Sequence, residues 1–156
     1  MGKNYSKKES VVVLPYRENK VLLQLRDFTP NIAYPGVWGF FGGSIKKGET
    51  YYEAARRELY EETSYMPNLL HKLEVDKVKE LDNVILYSYY CKLSISESEI
   101  ILNEGSDFGL FTLEEVLTNT LYSKTIKKKF PIIHSSYVSE KIRSLWIHLK
   151  KSEVIF

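Results

Sequence analysis

GGSIKKGETYYEAARRELYEETSY, residues 42–65, is the segment from which the rest of the chain is best interpreted. Thr50 and Glu53 have the spacing of a capping box, and the residues that follow are good helix formers, so a helix is predicted to begin after Gly48. Pro67 disfavours helical geometry at the residue before it and so limits the helix at its C-terminal end. The segment therefore predicts a glycine-containing turn followed by a helix of about three turns.

This helix carries three glutamates at a spacing that is unusual for a packed surface. Glu58 and Glu62 lie four residues apart, with Glu61 between them, so all three border the face on which Ala55 should be buried. Clustered carboxylates repel one another, and partial burial strengthens the repulsion. The simplest interpretation of the helix alone is a solvated surface with intrahelical ion pairs such as Arg57–Glu61. Divalent cations offer another solution, because Mg²⁺ binds carboxylate oxygens.

The glycines before the helix favour the interpretation of the three glutamates as a metal site. Gly42 and Gly43 permit the backbone to approach a ligand closely, and Gly48 allows a second tight turn before the helix. A glycine-containing loop, a helix N-terminus and clustered glutamates together indicate a site for a metal-bound phosphate compound.

The spacing of these residues resembles the Nudix box of the Nudix hydrolases. That pattern is glycine, five residues, glutamate, seven residues, arginine-glutamate, an aliphatic, any residue, two glutamates, any residue, glycine and an aliphatic. Gly43, Glu49 and the segment 57–62 (RELYEE) match in register, and the WGFFGG approach at 38–43 is also similar to the family. Ser64 and Tyr65 depart from it, since they replace the final glycine and aliphatic. The missing glycine puts the helix exit in question, but not the glutamates.

The resemblance implies a fold, a reaction and a cofactor. The fold is an α/β/α sandwich with a mixed β-sheet, the box helix on one face and a C-terminal helix, around residues 137–150, on the other. The reaction is hydrolysis of a nucleoside diphosphate linked to another moiety, with Mg²⁺ or Mn²⁺. The implied metal ligands are the box glutamates and a backbone carbonyl, and the implied supports are a glutamate and an arginine: Glu58, Glu61, Glu62 and Gly42 or Gly43, then Glu49 and Arg57.

The remaining candidate site residues are less constrained. The general base of the family is either a box glutamate or a carboxylate on a distal loop, for which Glu104 is the first candidate and Asp107 the second. Substrate contacts are expected in or beside the loop before the box, where an aromatic ring could stack on a base and a cation could bind phosphate. The candidates are Arg26, Tyr34, Trp38, Phe40 and Gly43, with Lys46 and Lys47 as weaker ones. Trp38 and Phe40 are equally compatible with core packing.

Composition excludes several other classes of protein. The chain has 156 residues and a net charge of +2, which suits one globular domain and does not indicate nucleic-acid binding. Cys91 is the only cysteine, so a disulfide framework is excluded and a reducing cytoplasm is the expected location. The sequence shows no signal peptide and no apolar run long enough to span a membrane. The three histidines lack metal-ligand spacing, and the lysine run 127–129 is expected to be a solvated surface.

Outside the box, the pattern of apolar residues predicts one mixed domain with more strands than helices. Residues 1–9 are expected to form a tail, and residues 118–131 a connector without regular structure. The predicted strands are 10–16 and 20–27, paired as a hairpin, then 38–41, 69–80 and 83–94. Residues 99–103 and 108–111 are short apolar pieces on either side of a turn, and a capping box at Thr112–Glu115 opens a short helix.

Two alternatives to a hydrolase remain open at this point. A Nudix-like isoprenoid-diphosphate isomerase would need a catalytic cysteine before the helix, whereas Cys91 lies far downstream. A non-catalytic nucleotide-binding or RNA-end-binding module would be expected to have lost box glutamates, and none is lost here. The substrate itself stays undefined among nucleoside triphosphates, nucleotide sugars, ADP-ribose and dinucleoside polyphosphates, and a homodimer is an open alternative to a monomer.

Overall fold

The computed structural model describes residues 8–153, and most of the predicted elements occur in the expected order. The strands and helices are β1 (Glu9–Arg17), β2 (Lys20–Leu25), β3 (Trp38–Gly39), β4 (Phe41–Ser44), α1 (Tyr51–Thr63), β5 (His71–Val78), β6 (Val84–Lys92), β7 (Asp107–Thr112), α2 (Leu113–Val116), β8 (Thr120–Ser123), β9 (Lys128–Pro131) and α3 (Ser135–Glu153).

Seven of these strands form one mixed sheet. Strand β1 pairs in parallel with β6 and antiparallel with both β2 and β4, and β5 continues the sheet beyond β6. Strands β3 and β7 both pair antiparallel with β2. Strand β1 therefore pairs with β2 near one end and with β4 near the other, and the box begins where the two parts of the sheet separate.

The two faces of the sheet are covered by different helices, as the resemblance implies. Side chains alternate along each strand, so a strand such as β1 supplies residues to both faces. One apolar cluster joins α1 to the sheet through Val11, Val13, Leu22, Ala54, Ala55 and Leu59. The other joins α3 to the opposite face through Leu14, Leu23, Leu25, Val138, Ile142 and Leu145. The predicted sandwich with a mixed sheet between helices is confirmed.

The expectation of an irregular connector at 118–131 is wrong. Strands β8 and β9 form an antiparallel hairpin there, with Leu121 opposite Phe130. The hairpin is fixed by a carboxylate outside it, because Asp107 accepts hydrogen bonds from Ser123 Oγ at 2.6 Å and from Thr125 Oγ1 at 3.1 Å. The lysine-rich sequence does not predict the hairpin, because the hairpin is stabilised by a contact with Asp107, which lies outside the segment.

The ends of the chain differ slightly from expectation. Most of the expected N-terminal tail, residues 1–7, lies outside the described residues, whereas Glu9 already belongs to β1. Helix α3 begins two residues earlier and ends three residues later than the predicted span 137–150. Within residues 8–153, no helix is both long enough and apolar enough to cross a membrane.

The structure answers the question raised by the missing box glycine. Ser64 caps α1 in the left-handed conformation, with φ 59° and ψ 13°, and its amide donates to Tyr60 O. Its side chain accepts from Asn103 Nδ2 at 2.9 Å, so a loop contact helps to hold the serine in a conformation that glycine adopts more readily. Tyr65 fills the aliphatic position as a buried residue, with its hydroxyl 2.9 Å from Ser94 Oγ.

We expect Ser64→Gly to stabilise the protein by about 0.5–1 kcal/mol, because relief of left-handed strain outweighs the lost hydrogen bond and the greater freedom of the unfolded chain. Ser64→Ala is the matched control, since it keeps the strain and loses only the hydroxyl, and it should be destabilising. Urea unfolding of the three proteins measures both effects. A glycine variant that is no more stable than the alanine variant would contradict this account of the helix exit.

Candidate active site

A capping box fixes the residue at which α1 begins. The position of the helix start in turn determines the direction in which its glutamates point. Thr50 Oγ1 accepts from Glu53 N at 3.1 Å, and the Glu53 carboxylate accepts from Thr50 N at 3.1 Å, which completes the predicted capping box. Ala54 and Ala55 are fully buried against the sheet. This packing turns Glu58 and Glu62, three and seven residues after Ala55, towards the edge where β2 and β4 separate.

Glu62 is the most deeply buried acidic side chain of the site. Only 3% of its surface is exposed, and its carboxylate accepts from Gly42 N at 3.0 Å and from Gln24 Nε2 at 3.2 Å. Burial raises the pKa of Glu62 to about 8, and the neighbouring Glu58 adds to the increase. Among residues 8–153, no basic side chain forms an ion pair with it. Burial of a carboxyl group away from any basic side chain is costly, and coordination of a metal cation is one way to offset that cost.

Gln24 is a site residue that sequence reasoning missed. It is 3% exposed on β2, and its amide also lies 3.4 Å from Phe40 O. The available signal was a polar residue inside KVLLQL, a strand that is otherwise almost entirely apolar. Such a side chain needs a buried partner, but the sequence does not show that the partner is Glu62.

Glu58 lies against the second glycine of the box. A Cβ atom added to Gly43 would stand 2.6 Å from Glu58 Oε1, so only glycine leaves room for this carboxylate. Burial raises the pKa of Glu58, and the Arg57 guanidinium opposes that increase. Gly43 therefore admits a carboxylate to the site, which is a different role from the substrate contact expected of it.

Arg57 connects the supporting residue to the other two carboxylates. Its guanidinium donates twice to Glu49, at 2.7 and 2.9 Å, and also to Glu58 Oε1 at 2.9 Å and Glu61 Oε2 at 3.2 Å. It donates once more to Ser44 O at 2.9 Å. The hydrogen bonds from Arg57 lower the pKa of Glu49 to about 2, and the Lys46 amide contributes. This bidentate pairing supports the orienting role that the resemblance assigned to Glu49 and Arg57.

The three box glutamates do not converge on one point. Glu58 and Glu61 both turn towards Arg57, whereas Glu62 turns inward to Gln24. Over the described residues, no three acidic, histidine or cysteine groups are gathered closely enough to hold a metal ion. The donor set nevertheless fits a hard divalent cation, because it supplies carboxyl oxygens, one pair of them buried without a basic side chain as partner. Glu61 is 43% exposed, whereas Glu58 and Glu62 are more deeply buried.

The two candidates for a distal base occupy different environments. Glu104 is exposed, and its charge raises the pKa values of Glu58 and Glu62, so it lies near the box. Its loop is held to the end of α1 by a bond from Asn103 N to Glu62 O at 2.8 Å. Asp107 is buried, and both of its oxygens accept hydrogen bonds from the β8–β9 hairpin. The structure therefore places Glu104 near the box carboxylates and gives Asp107 a structural role in holding the β8–β9 hairpin.

We expect substitutions of Glu104 and of Asp107 to have different effects. Glu104→Gln should lower kcat by about a hundredfold or more with little change in stability, as expected for loss of a general base at an exposed position. Asp107→Asn should instead lower the stability by about 1–3 kcal/mol, because it weakens buried hydrogen bonds to a charged group. Steady-state kinetics and urea unfolding measured on both variants test the assignment. An Asp107→Asn protein that is stable but inactive would reverse it.

The structure favours packing over base stacking for two of the aromatic candidates. Trp38 is fully buried and its indole nitrogen donates to Leu121 O at 3.0 Å, while Phe40 is 8% exposed. Arg26 is partly exposed, but its Nε donates to Ala33 O at 2.8 Å and so holds the loop 27–37. Tyr34 remains available, since it is 39% exposed.

The other residues considered at first have ordinary surroundings. Lys46 Nζ lies 4.0 Å from Glu61 Oε1, which places it at the rim of the site, and Lys47 and lysines 127–129 are exposed. Each histidine packs against a tyrosine ring instead of a second ligand: His71 and His148 against Tyr90, and His134 against Tyr34. Cys91 is buried, and burial raises the pKa of its thiol to about 12.

The neighbouring glycines predict opposite mutant phenotypes. A Cβ atom on Gly42 would lie 2.0 Å from Val11 O in the paired strand, so Gly42→Ala should strongly destabilise the sheet. The three atoms nearest to a Cβ on Gly43 all belong to the movable end of Glu58, so Gly43→Ala should fold normally and lose activity about tenfold or more. Thermal unfolding and hydrolysis assays distinguish the two. The interpretation fails if Gly43→Ala unfolds as readily as Gly42→Ala.

The comparisons with known proteins agree with this geometry. A family model described as the NUDIX domain matches residues 6–131. A stretch of 38 residues is 50% identical to the oxidized purine nucleoside triphosphate hydrolase of Danio rerio, which is 24% of this chain and 24% of that protein. The chain therefore spans about a quarter of the length of that relative.

Solved structures share the fold over nearly the whole chain. A MutT NUDIX hydrolase from Burkholderia pseudomallei has a TM-score of 0.65 at 17% identity, over 89% of this chain and 98% of that one. An ADP-ribose pyrophosphatase from Streptococcus suis has a TM-score of 0.63 at 17% identity, over 97% and 96%. The NUDIX domain of Shewanella oneidensis NrtR, complexed with ADP ribose, has a TM-score of 0.63 at 21% identity, over 90% and 89%.

Proposed function

This chain belongs to the NUDIX domain family, and from that premise we propose that it hydrolyses, with Mg²⁺ or Mn²⁺, a pyrophosphate bond in a nucleoside diphosphate linked to another group. The observation that carries the proposal is the buried Glu62 carboxylate, which has two neutral hydrogen-bond donors and no cation among the described residues. Such a charge is stabilised when a divalent ion binds beside it.

The residues that would hold the ion are the three box glutamates, Glu58, Glu61 and Glu62, with the carbonyl of Gly42 or Gly43. A bound Mg²⁺ neutralises phosphate oxygens and makes water a stronger nucleophile. The protein contributes the rest. Arg57 keeps two of the carboxylates oriented, and Glu49 fixes Arg57 through a bidentate pair. Glu104 accepts the proton of the attacking water from its position near the box.

The compounds to be assayed first are those named for the relatives. The Danio rerio protein is a hydrolase of oxidized purine nucleoside triphosphates, and the Streptococcus suis protein is an ADP-ribose pyrophosphatase. Nucleotide sugars and dinucleoside polyphosphates complete the set that the box accommodates. Each contains a nucleoside diphosphate, so each tests the same bond.

The test is a measurement of product release from this set with Mg²⁺, with Mn²⁺ and with a chelator, for wild type and for Glu61→Gln. We expect metal-dependent hydrolysis of at least one compound by the wild type and a large loss in the variant. Two inert proteins would overturn the hydrolase proposal. Binding of a nucleotide without hydrolysis would favour a non-catalytic nucleotide-binding module.

The proposal also includes the cellular location of the enzyme, its binding partner and its oligomeric state. A small-molecule nucleotide is the expected partner, and the cytoplasm, where Mg²⁺ nucleotides are abundant and a lone cysteine stays reduced, is the expected location. Fractionation of the source cells tests the location, and light scattering of the purified protein distinguishes the monomer from the expected alternative, a homodimer.

A further inference from the structure

The loop that carries Glu104 is attached to two different parts of the fold. Before Glu104, Asn103 N donates to Glu62 O at 2.8 Å, at the end of α1. After it, Ser106 N donates to Leu25 O at 2.8 Å, at the end of β2. Glu104 itself is exposed, so its carboxylate is placed by the residues that hold its neighbours in the chain.

The sheet register identifies the partner of the residue that follows Glu104. Leu25 is the Cα partner of Asp107 in the antiparallel pairing of β2 with β7. Partners in an antiparallel ladder move in opposite directions along the two chains, so Asp27 comes opposite Gly105 when this register is continued by two residues. The two positions are 78 residues apart in sequence, so local pattern does not predict their contact.

Both oxygens of the Asp27 carboxylate contact this loop. Oδ2 accepts from Gly105 N at 3.2 Å, and Oδ1 accepts from Ser106 Oγ at 2.9 Å. Hydrogen bonds to an ionised acceptor are about twice as strong as those between neutral groups. Among residues 8–153, no basic side chain forms an ion pair with Asp27. The carboxylate therefore serves the loop and not a cationic side chain.

Gly105 is confined to this position by its surroundings. Its φ of 94° lies in the region that favours glycine, and an added Cβ atom would stand 2.9 Å from Leu25 O and 3.0 Å from Gln24 Oε1. The amide of Gln24 in turn donates to Glu62. The residue next to Glu104 thus packs against a hydrogen-bond partner of the box, and a displacement of the loop changes the place of Glu104 relative to the box.

We propose that Asp27 is a positioning residue for Glu104, an inference that rests on the proposed function. Its two oxygens are engaged by the loop, so Asp27 acts through Glu104 instead of touching the attacking water itself. By fixing Gly105 and Ser106 it fixes the distance from the Glu104 carboxylate to that water. A misplacement of about 1 Å can lower the rate of an enzyme about a hundredfold, so loss of this anchor has a measurable effect on catalysis.

The backbone of Asp27 makes a separate contact, which allows the side chain to be tested alone. Its carbonyl accepts from Gly36 N at 2.9 Å and closes the loop 27–37, in which Tyr34 is the exposed candidate for a substrate contact. Replacement of the side chain leaves this backbone bond in place. We therefore expect the substitution to change kcat and to leave KM almost unchanged.

The kinetic test places Asp27→Ala in two backgrounds, the wild type and Glu104→Gln, and uses the best substrate of the set with Mg²⁺. In the wild type we expect kcat to fall about ten- to a hundredfold, with KM within about twofold. In the Glu104→Gln background the same change should lower kcat by less than about twofold, because the group that Asp27 positions is absent. Asp27→Asn keeps one carbonyl acceptor and should lose less than Asp27→Ala.

Two controls separate positioning from a general loss of stability. Asp76→Ala removes one of the two carboxylates that pair with the buried Lys141 on the edge strand β5, so it should destabilise the protein without changing kcat. Glu114→Gln changes an exposed glutamate on α2 and should match the wild type in both stability and kcat. Urea unfolding of every variant gives the folded fraction under the assay conditions.

Amide hydrogen exchange followed by NMR tests the anchor without a reaction. Exchange at Gly105 should be about tenfold or more faster in Asp27→Ala than in the wild type, because its amide loses the acceptor. Equal exchange rates would overturn the anchor. An equal fall in kcat in both backgrounds would overturn the action through Glu104 and leave the hydrolase proposal standing. A wild type that hydrolyses no compound would overturn the hydrolase proposal and, with it, the positioning role of Asp27.

Discussion

Glu62→Gln is expected to lower kcat/KM about a hundred- to a thousandfold, the usual effect of removing one group that stabilises charge in the transition state. The same change should stabilise the metal-free protein by about 1–3 kcal/mol near pH 8, because it removes a buried charge that has no cationic partner. A residue kept for stability alone would show the opposite pair of effects. Hydrolysis assays with Mg²⁺ and thermal unfolding with a chelator measure the two quantities.

The raised pKa of Glu62 also predicts the direction in which the stability of the metal-free protein changes with pH. The folded-state pKa of Glu62, about 8, lies above its ordinary value of 4.5. Between these values the folded protein binds more protons than the unfolded chain, so stability in a chelator should fall as the pH rises from 4.5 to 8. The Glu62→Gln protein should lack this part of the decline. Glu114→Gln is the control, and a decline of equal size in Glu62→Gln would contradict the burial argument.

Arg57→Lys should also lower activity strongly, although it conserves the charge. A lysine cannot reproduce the planar fork that pairs twice with Glu49 while also donating to Glu58 and Glu61. We expect a loss of about ten- to a hundredfold in kcat/KM, which is typical when the partners of metal-binding side chains are changed. The pKa of Glu49 should rise from about 2 towards its ordinary value, because its strongest hydrogen bonds are lost.

Arg56→Lys is the matched control for this experiment. Arg56 is the neighbouring residue, and it lies over the Tyr52 ring at 6.0 Å instead of contacting a box carboxylate. Its substitution should leave kcat/KM within about twofold of wild type, as for most replacements outside a site. NMR titration of the glutamate carboxyl groups follows Glu49 directly. Equal activity of the two variants would show that the guanidinium does not orient the box.

Much of the box could be predicted because its geometry is local. The capping box fixes where α1 begins, and helix periodicity then fixes the relative directions of Glu58, Glu61 and Glu62. The assignment of Arg57 to Glu49 follows from the family spacing, and the structure brings the two together. Gln24 could not be assigned in the same way, because its bond to Glu62 spans 38 positions and depends on how β2 meets α1.

The hairpin β8–β9 was missed for a related reason. Its sequence contains four lysines and little alternation of apolar and polar residues, which normally indicates a loop. The buried carboxylate of Asp107, which lies outside the segment, accepts the hydrogen bonds that hold the hairpin. A residue first considered as a base is thus a structural support, and only the tertiary contact distinguishes the two roles.

Direct measurement of metal binding tests the central claim that the box glutamates form a cation site. Mn²⁺ should be titrated into wild type and Glu62→Gln and followed by electron paramagnetic resonance, with Glu114→Gln as the control. We expect saturable binding by the wild type and the control, and binding at least tenfold weaker in Glu62→Gln. Equal Mn²⁺ affinity in all three proteins would contradict the account, because the buried carboxylate would then have no part in holding the metal.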